Sequence, residues 1–229
     1  MINFRKVTGA MFSGSIKGHF GQWAEDVLVR KLFDKNKMNG IYLDIGSYHP
    51  FTHSNTAYLW MKGWTGFNVD ANPNTIEIFR KIRPKDTNIW SAIVPSSDYE
   101  NGLREISLML PEKTDYKNGI VAAGTVNNEV GSQRGFSASK KVPAQCISKL
   151  IADFNISNID YLNIDIEGYD EAILCEIDFK IIKPTVFSIE DYSDTFLKLT
   201  SSNITRQMEL NDYSLAGRAG PTSIFLKNH

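Results

Sequence analysis

Four short apolar runs in this sequence stop on a carboxylate: GIYLDIG at 40–46, TGFNVDANP at 65–73, IDYLNID at 159–165 and TVFSIED at 185–191. Each is bounded by turn-forming residues, and the spacing predicts short buried strands. Helical patterns lie between them. SNTAYLWMKG (54–63) has Ser54 as a candidate N-cap and Gly63 as a terminator. After the second run, Asn72 is a cap and Pro73 the first residue of a helix carrying Ile76 and Phe79 inward. Strands that alternate with helices need crossover connections, which yields a parallel sheet with helices on both faces. Ligands of such open sheets bind outside the carboxyl ends of the strands, near the point where strand order reverses. Asp44, Asp70, Asp165, Glu190 and Asp191 all fall at those ends, so residues distant in sequence converge on one rim.

The remaining elements fit the same plan. TNIWSAIV (87–94) reads as a third strand, QCISKLIADF (145–154) as a helix, and EAILCEI (171–177) as part of the next one. GQWAEDVLVRKLF (21–33) puts Trp23, Val27, Leu28, Leu32 and Phe33 near helical spacing, as an amphipathic helix on the core. The tail reads as helix, strand, turn at Gly217 to Pro221, and strand. The expected fold is therefore α/β, a doubly wound, mostly parallel seven-stranded sheet with an antiparallel C-terminal edge strand. Residues 1–229 form a single domain, with 1–36 as an N-terminal helical extension. Residues 95–143 form an inserted acceptor-recognition or lid region, in which EISLML and KKVPA are a candidate strand pair around a Gly-rich stretch.

Composition narrows the partners. The formal net charge is −1, so no overall field favours nucleic acid or an anionic membrane. No apolar run approaches the length of a membrane span, and the N-terminus lacks a convincing signal peptide. Cys146 and Cys175 are far apart and show no metal-ligand spacing. Both are expected to be buried apolar residues, consistent with a reducing, cytoplasmic location.

The first strand turn reads DIGSYHPFTHSNT. A dinucleotide site would need G-x-G-x-x-G there, so that the backbone can approach a pyrophosphate. Only Gly46 is present, followed by Tyr48, His49, Pro50 and Phe51. A cofactor with a ribose and no pyrophosphate fits better. Asp70 can accept both ribose hydroxyls, and Gly46 would let a small zwitterionic tail lie against the backbone. S-adenosylmethionine has these parts.

YLDIGSYHPFTHSNTAYLWMKGWTGFNVDANP and IDYLNIDIEGYDEAIL resemble the two signature blocks of FkbM-type methyltransferases. The resemblance runs from about Gly21 to the end and is weak across 95–143. It implies a Rossmann-like class I methyltransferase fold and use of S-adenosylmethionine, often to O-methylate sugars or hydroxylated natural products. It also implies that Asp44, Gly46, Asn55 and Asp70 line the cofactor pocket, with Ser47 and Ala71 beside them. Ser91 or Ala92, after the third strand, is placed near the adenine by position. The His-Pro-Phe-Thr-His insertion departs from the shorter turn of many members, so no family role transfers to His49 or His53.

The second block ends in a burst of acid. Methyl transfer to a hydroxyl needs placement of the acceptor oxygen and removal of its proton. Asp165, Glu167, His49 and His53 are the candidates for that work. Asp170 and Glu171 are explained as acids in the first turn of a helix. NID with IEDY resembles the arrangement of macrocin-type sugar O-methyltransferases, which hold magnesium. That resemblance implies Mg²⁺ on Asp165, Glu190 and Asp191 gripping a vicinal diol. The alternative is that Asp165 hydrogen-bonds the acceptor or local backbone without metal. The acceptor expected is carbohydrate-containing. Tyr48, Trp60, Trp64 and Tyr192 are candidate stacking surfaces. A nicotinamide-dependent oxidoreductase and a non-catalytic methyltransferase-like binder are the competing readings.

Overall fold

Alternate side chains of a strand point to opposite faces, and that rule organises the core. The computed structural model describes residues 18–34, 36–111 and 124–228. Much of the extension expected over 1–36, namely residues 1–17, and the middle of the 95–143 region lie outside the described residues. Ten strands are seen among the described residues: β1 (Ile41–Ile45), β2 (Thr65–Asp70), β3 (Thr87–Trp90), β4 (Ala92–Ile93), β5 (Glu105–Leu110), β6 (Ala138–Gln145), β7 (Tyr161–Ile164), β8 (Val186–Glu190), β9 (Tyr213–Ala219) and β10 (Thr222–Lys227).

Seven of them form the main sheet in the order β3-β2-β1-β7-β8-β10-β9. The five strands from β3 to β8 are parallel, whereas β10 runs antiparallel to both β8 and β9. The chain leaves β1 toward β2 and β3 and later leaves β7 toward β8. Strand order therefore reverses between β1 and β7. Leu43, Ile45, Leu162, Ile164, Phe187 and Ile189 pack on one face with Ile147 and Leu150 of helix Ile147–Asp153 and Ile204 and Met208 of helix Asn203–Leu210. Tyr42, Tyr161, Val186 and Ile224 pack on the other face with Val29 of helix Glu25–Leu32 and Leu59 of helix Ala57–Met61.

That second face carries a polar row. Asn68, Asp44, Asn163 and Ser188 are in register on β2, β1, β7 and β8, and all four are buried. Bonds between neighbouring strands link the row: Asn163 Nδ2 donates to Asp44 Oδ1 at 2.9 Å, and Ser188 Oγ donates to Asn163 Oδ1 at 2.5 Å. One pleat further on, the same face presents Asp70, Gly46, Asp165 and Glu190. The carboxylate rim is thus the exposed edge of a buried polar belt.

Several local expectations change. The third apolar run is cut at Ser91: β3 joins the main sheet, while β4 pairs with β6 in a separate three-stranded sheet, order β4-β6-β5. The EISLML and KKVPA segments do pair, antiparallel, as part of β5 and β6. The helix expected from Ser54 begins only at Ala57 and has no side-chain cap bond. Asn72 is a working N-cap, accepting from Asn74 N at 3.0 Å. Trp23 lies before its helix and is 56% exposed, so it is no core residue. Cys146 is buried as expected, but Cys175 is exposed. No helix of the described residues is long and apolar enough to cross a membrane.

Candidate active site

A cavity of about 560 Å³ opens over the carboxyl ends of β1, β2, β7 and β8. Asp44, Gly46, Ser47, Asn55, Asp70, Ala71 and Ser91 line it, as do His53, Asp165, Glu167 and Glu190. His49 and Asp191 are not on its wall.

The β1–β2 side is extensively hydrogen-bonded. Gly46 has φ +86°, and a Cβ there would stand 1.7 Å from the Asp165 carbonyl oxygen. The glycine is required by the close approach of the turn after β7, whatever ligand lies above it. Asp44 is buried and receives Thr56 Oγ1 at 2.8 Å as well as Asn163. Burial raises its pKa, and those two donors counter the rise. Asp70 accepts from Tyr48 N at 2.9 Å and Asn72 N at 2.7 Å, one on each oxygen. Burial pushes it up to about 6, the two backbone donors pulling the other way. The second lone pair of each oxygen points to no described partner, which is the capacity a pair of hydroxyls would use. Ser47 N and Gly46 N both bond to Val69 O. Ser91 Oγ donates to Ala92 O, and Ala71 O accepts the Trp90 indole N–H at 2.9 Å. Asn55 Nδ2 donates to Asn163 Oδ1, but its buried Oδ1 has no partner among the described residues.

The His-Pro-Phe-Thr-His segment is built around two anchors, the half-buried His49 and the buried Arg83. His49 Nδ1 accepts from Phe51 N at 3.1 Å and Thr52 N at 2.9 Å. That lone pair is spent on the turn, and burial lowers the ring's pKa with help from Arg83 and His53. Arg83 is wholly buried and donates to Pro50 O, Ser54 Oγ, Thr56 Oγ1 and Tyr42 Oη. His53 stacks on Tyr48 with centroids 5.7 Å apart and faces the cavity.

The β7–β8 side is the opposite case. No donor reaches the Asp165 carboxylate among the described residues. Burial, followed by Glu190, Asp170, Glu167 and Asp44, holds its pKa well above the carboxylate range. Burial likewise raises Glu190, with Glu167 and Asp170 adding to the rise. Oxygens of Asp165, Asp170 and Glu190 lie within 4.8 Å of one another. Asp170 thus does more than decorate a helix start: it is buried, bonds Ile166 N and Gly168 N at 3.0 Å each, and joins the acidic group. Asp191 does not join it. Its carboxylate accepts from Ser193 N at 2.9 Å and Ser202 Oγ at 2.8 Å.

Glu167 sits at φ +58°, uncommon for a residue with a side chain. Arg134 pairs with its carboxylate, and Thr125 Oγ1 donates to its carbonyl at 3.1 Å. Thr125 and Arg134, from the 95–143 stretch, therefore dock on the turn after β7. The Tyr192 hydroxyl lies 2.5 Å from Glu190 Oε2 and 3.3 Å from Glu167 Oε2. Trp64, one of the aromatics proposed for stacking, is 2% exposed and belongs to the core. Sequence reasoning missed Asn163, Arg83, Arg134 and Trp23. Only Asn163 had a readable signal, a lone amide inside an apolar run.

The model of the Methyltransferase FkbM domain family matches residues 44–215. A solved precorrin-6y C5,15-methyltransferase from Geobacter metallireducens GS-15 is similar at 12% identity, with 91% of this chain and 88% of that chain covered and a TM-score of 0.40. No protein of curated function matches.

Proposed function

The chain belongs to the FkbM methyltransferase domain family, and we propose on that premise that it moves a methyl group from S-adenosylmethionine to a hydroxyl of a carbohydrate-containing acceptor. The observation that carries the reading is Asp165: a carboxylate with no donor among the described residues, between the β1–β2 side and an acidic, aromatic-walled side of the same cavity.

In this reading Asp70 takes the ribose hydroxyls, and Gly46, Ser47 and Asn55 face the amino-acid tail. Ala71 and Ser91 flank the adenine. The acceptor oxygen attacks the methyl carbon in line as the carbon–sulfur bond breaks, and the sulfonium becomes a neutral thioether. The hydroxyl proton passes to a carboxylate. Asp165 is the assigned base, since burial and the neighbouring acids raise its pKa and make it a stronger proton acceptor than an ordinary carboxylate. Glu167 is occupied by Arg134 and serves as a wall. His53 is the reserve base, while the bonded Nδ1 of His49 gives that residue a turn-holding role.

Three clustered carboxylates also suit a hard cation. Asp165, Glu190 and Asp170, with Asp170 in the place first given to Asp191, would hold Mg²⁺. When bound there it would lower the pKa of a coordinated hydroxyl.

The test is calorimetric titration of S-adenosylhomocysteine with and without Mg²⁺, with NADH as control, followed by transfer of labelled methyl to an array of glycans. Binding of S-adenosylhomocysteine alone, with label on a glycan, supports the reading. Binding of NADH, or label on none of the carbohydrates, counts against it. Loss of transfer in chelator separates the metal version from the metal-free one.

A further inference from the structure

We propose that Trp23 is the platform on which the acceptor's sugar ring stacks, an inference that rests on the carbohydrate reading above. The cavity's two ends are set by strand order. Asp70 ends β2, while Tyr192 follows β8 and Pro221 precedes β10. Four inter-strand steps of about 4.8 Å separate β2 from β10, so the two ends lie roughly 19 Å apart. Asp165 sits between them. A donor filling the β1–β2 side leaves the β8–β10 end for the acceptor, and Trp23 lines that end.

The way Trp23 is held sets it apart from an incidental surface aromatic. Four consecutive backbone N–H groups, those of Phe20, Gly21, Gln22 and Trp23, donate to two buried carboxylates. Asp26 receives the first two at 3.2 Å each, and Glu25 the others at 3.0 and 2.7 Å. Glu25 is 3% and Asp26 1% exposed. Ala24 adopts φ +65° to make the bend, a strained conformation for a residue with a Cβ. Phe20 O is tied to Ser54 N at 3.1 Å, and the following helix packs on β9 and β10.

The indole itself rests on Gly220 in the β9–β10 turn. A Cβ on Gly220 would meet Trp23 Cγ at 2.4 Å, so the glycine makes room for the ring. That turn is fixed in its own right: Asp191 N donates to Pro221 O at 2.9 Å, and Arg218 Nε donates to Gly220 O at 2.8 Å. One part of the indole is supported, yet more than half of the residue is left to solvent beside Glu190 and Tyr192. A rigid aromatic surface beside carboxylates matches a pyranose, whose C–H face is apolar and whose hydroxyls lie at its edge. Among the described residues the cavity is lined by six carboxylates, Glu25, Asp44, Asp70, Asp165, Glu167 and Glu190, and by one arginine, Arg134. The ring favoured here is neutral or amino-bearing, since an acidic sugar would be repelled.

The test uses the full chain on an array of neutral, amino-bearing and acidic glycans, with S-adenosylhomocysteine saturating. Wild type should retain neutral or amino glycans. Trp23→Ala should bind them on the order of tenfold more weakly, and Trp23→Phe should recover most of the loss. Titration of S-adenosylhomocysteine should be unchanged in both variants. Gly220→Ala, which drives a methyl into the indole, should reproduce the glycan defect with Trp23 present. A wild-type glycan profile in Trp23→Ala overturns the assignment, as does a parallel loss of S-adenosylhomocysteine binding. If wild type retains no glycan yet binds S-adenosylhomocysteine, the carbohydrate reading fails and this inference falls with it.

Discussion

Asp44 and Asp165 belong to neighbouring strands, one pleat apart on the same face, and they live in opposite surroundings. Each oxygen of Asp44 receives a donor, from Thr56 or Asn163, and the residue is sealed in the sheet. Asp165 receives none among the described residues and is crowded by four acids, Glu190, Asp170, Glu167 and Asp44 itself. A carboxylate with its donors satisfied holds structure together, because removing it would orphan buried polar groups. One crowded by like charge is destabilising in the free protein, and a fold retains such a group for what it does with a ligand. The same contrast separates the two sides of the cavity. The β1–β2 side is a closed hydrogen-bond network with spare acceptors on Asp70, and the β7–β8 side is an excess of negative charge.

The sharpest break would come at the seam between the two. Gly46→Ala places a methyl against the Asp165 carbonyl at a positive φ. It should cost more than about 4 kcal/mol and be seen as loss of soluble folded protein or collapse of the unfolding midpoint. Asp165→Asn comes next: turnover should fall by about 10²–10⁴-fold, while the melting temperature holds or rises. Asp70→Ala should weaken S-adenosylhomocysteine binding by roughly 100-fold, the worth of one to two charge-assisted hydrogen bonds. In wild type that affinity should decline as pH falls through about 6, where Asp70 takes up its proton. Calorimetry over a pH series reads both effects. The smallest effect is on stability. Glu190 is pushed up from 4.5 to about 7, so the folded state holds its proton more tightly than the unfolded chain does. Its stabilising contribution is present in full below about pH 4.5 and lost as pH rises toward 7. Glu190→Gln should flatten that part of the melting-temperature profile, by about 1 kcal/mol after allowance for partial exposure. An unchanged slope would mean that Glu190 is not crowded.

The strands and their acidic ends were legible because both signals are local: an apolar run of strand length, then a turn residue and a carboxylate. The place where TNIWSAIV divides between two sheets was not, since one uninterrupted run looks the same whether or not its partners change at Ser91. Asp170 was read as a helix-start acid because that explanation is sufficient on its own, and only the fold brings Glu190 and Asp165 against it. Trp23 was assigned to the core by near-helical spacing, but the helix begins two residues later, after the Ala24 bend. Arg134 and Arg83 act through contacts made more than twenty-five residues away in sequence, which no spacing rule reports.

The division of the cavity is tested most directly by titrating S-adenosylhomocysteine into wild type, Asp70→Ala and Asp165→Asn under one set of conditions. Wild-type affinity in Asp165→Asn, with binding lost or weakened by roughly two orders of magnitude in Asp70→Ala, is the result this account predicts. Equal affinity in all three proteins, or loss in Asp165→Asn alone, would contradict it.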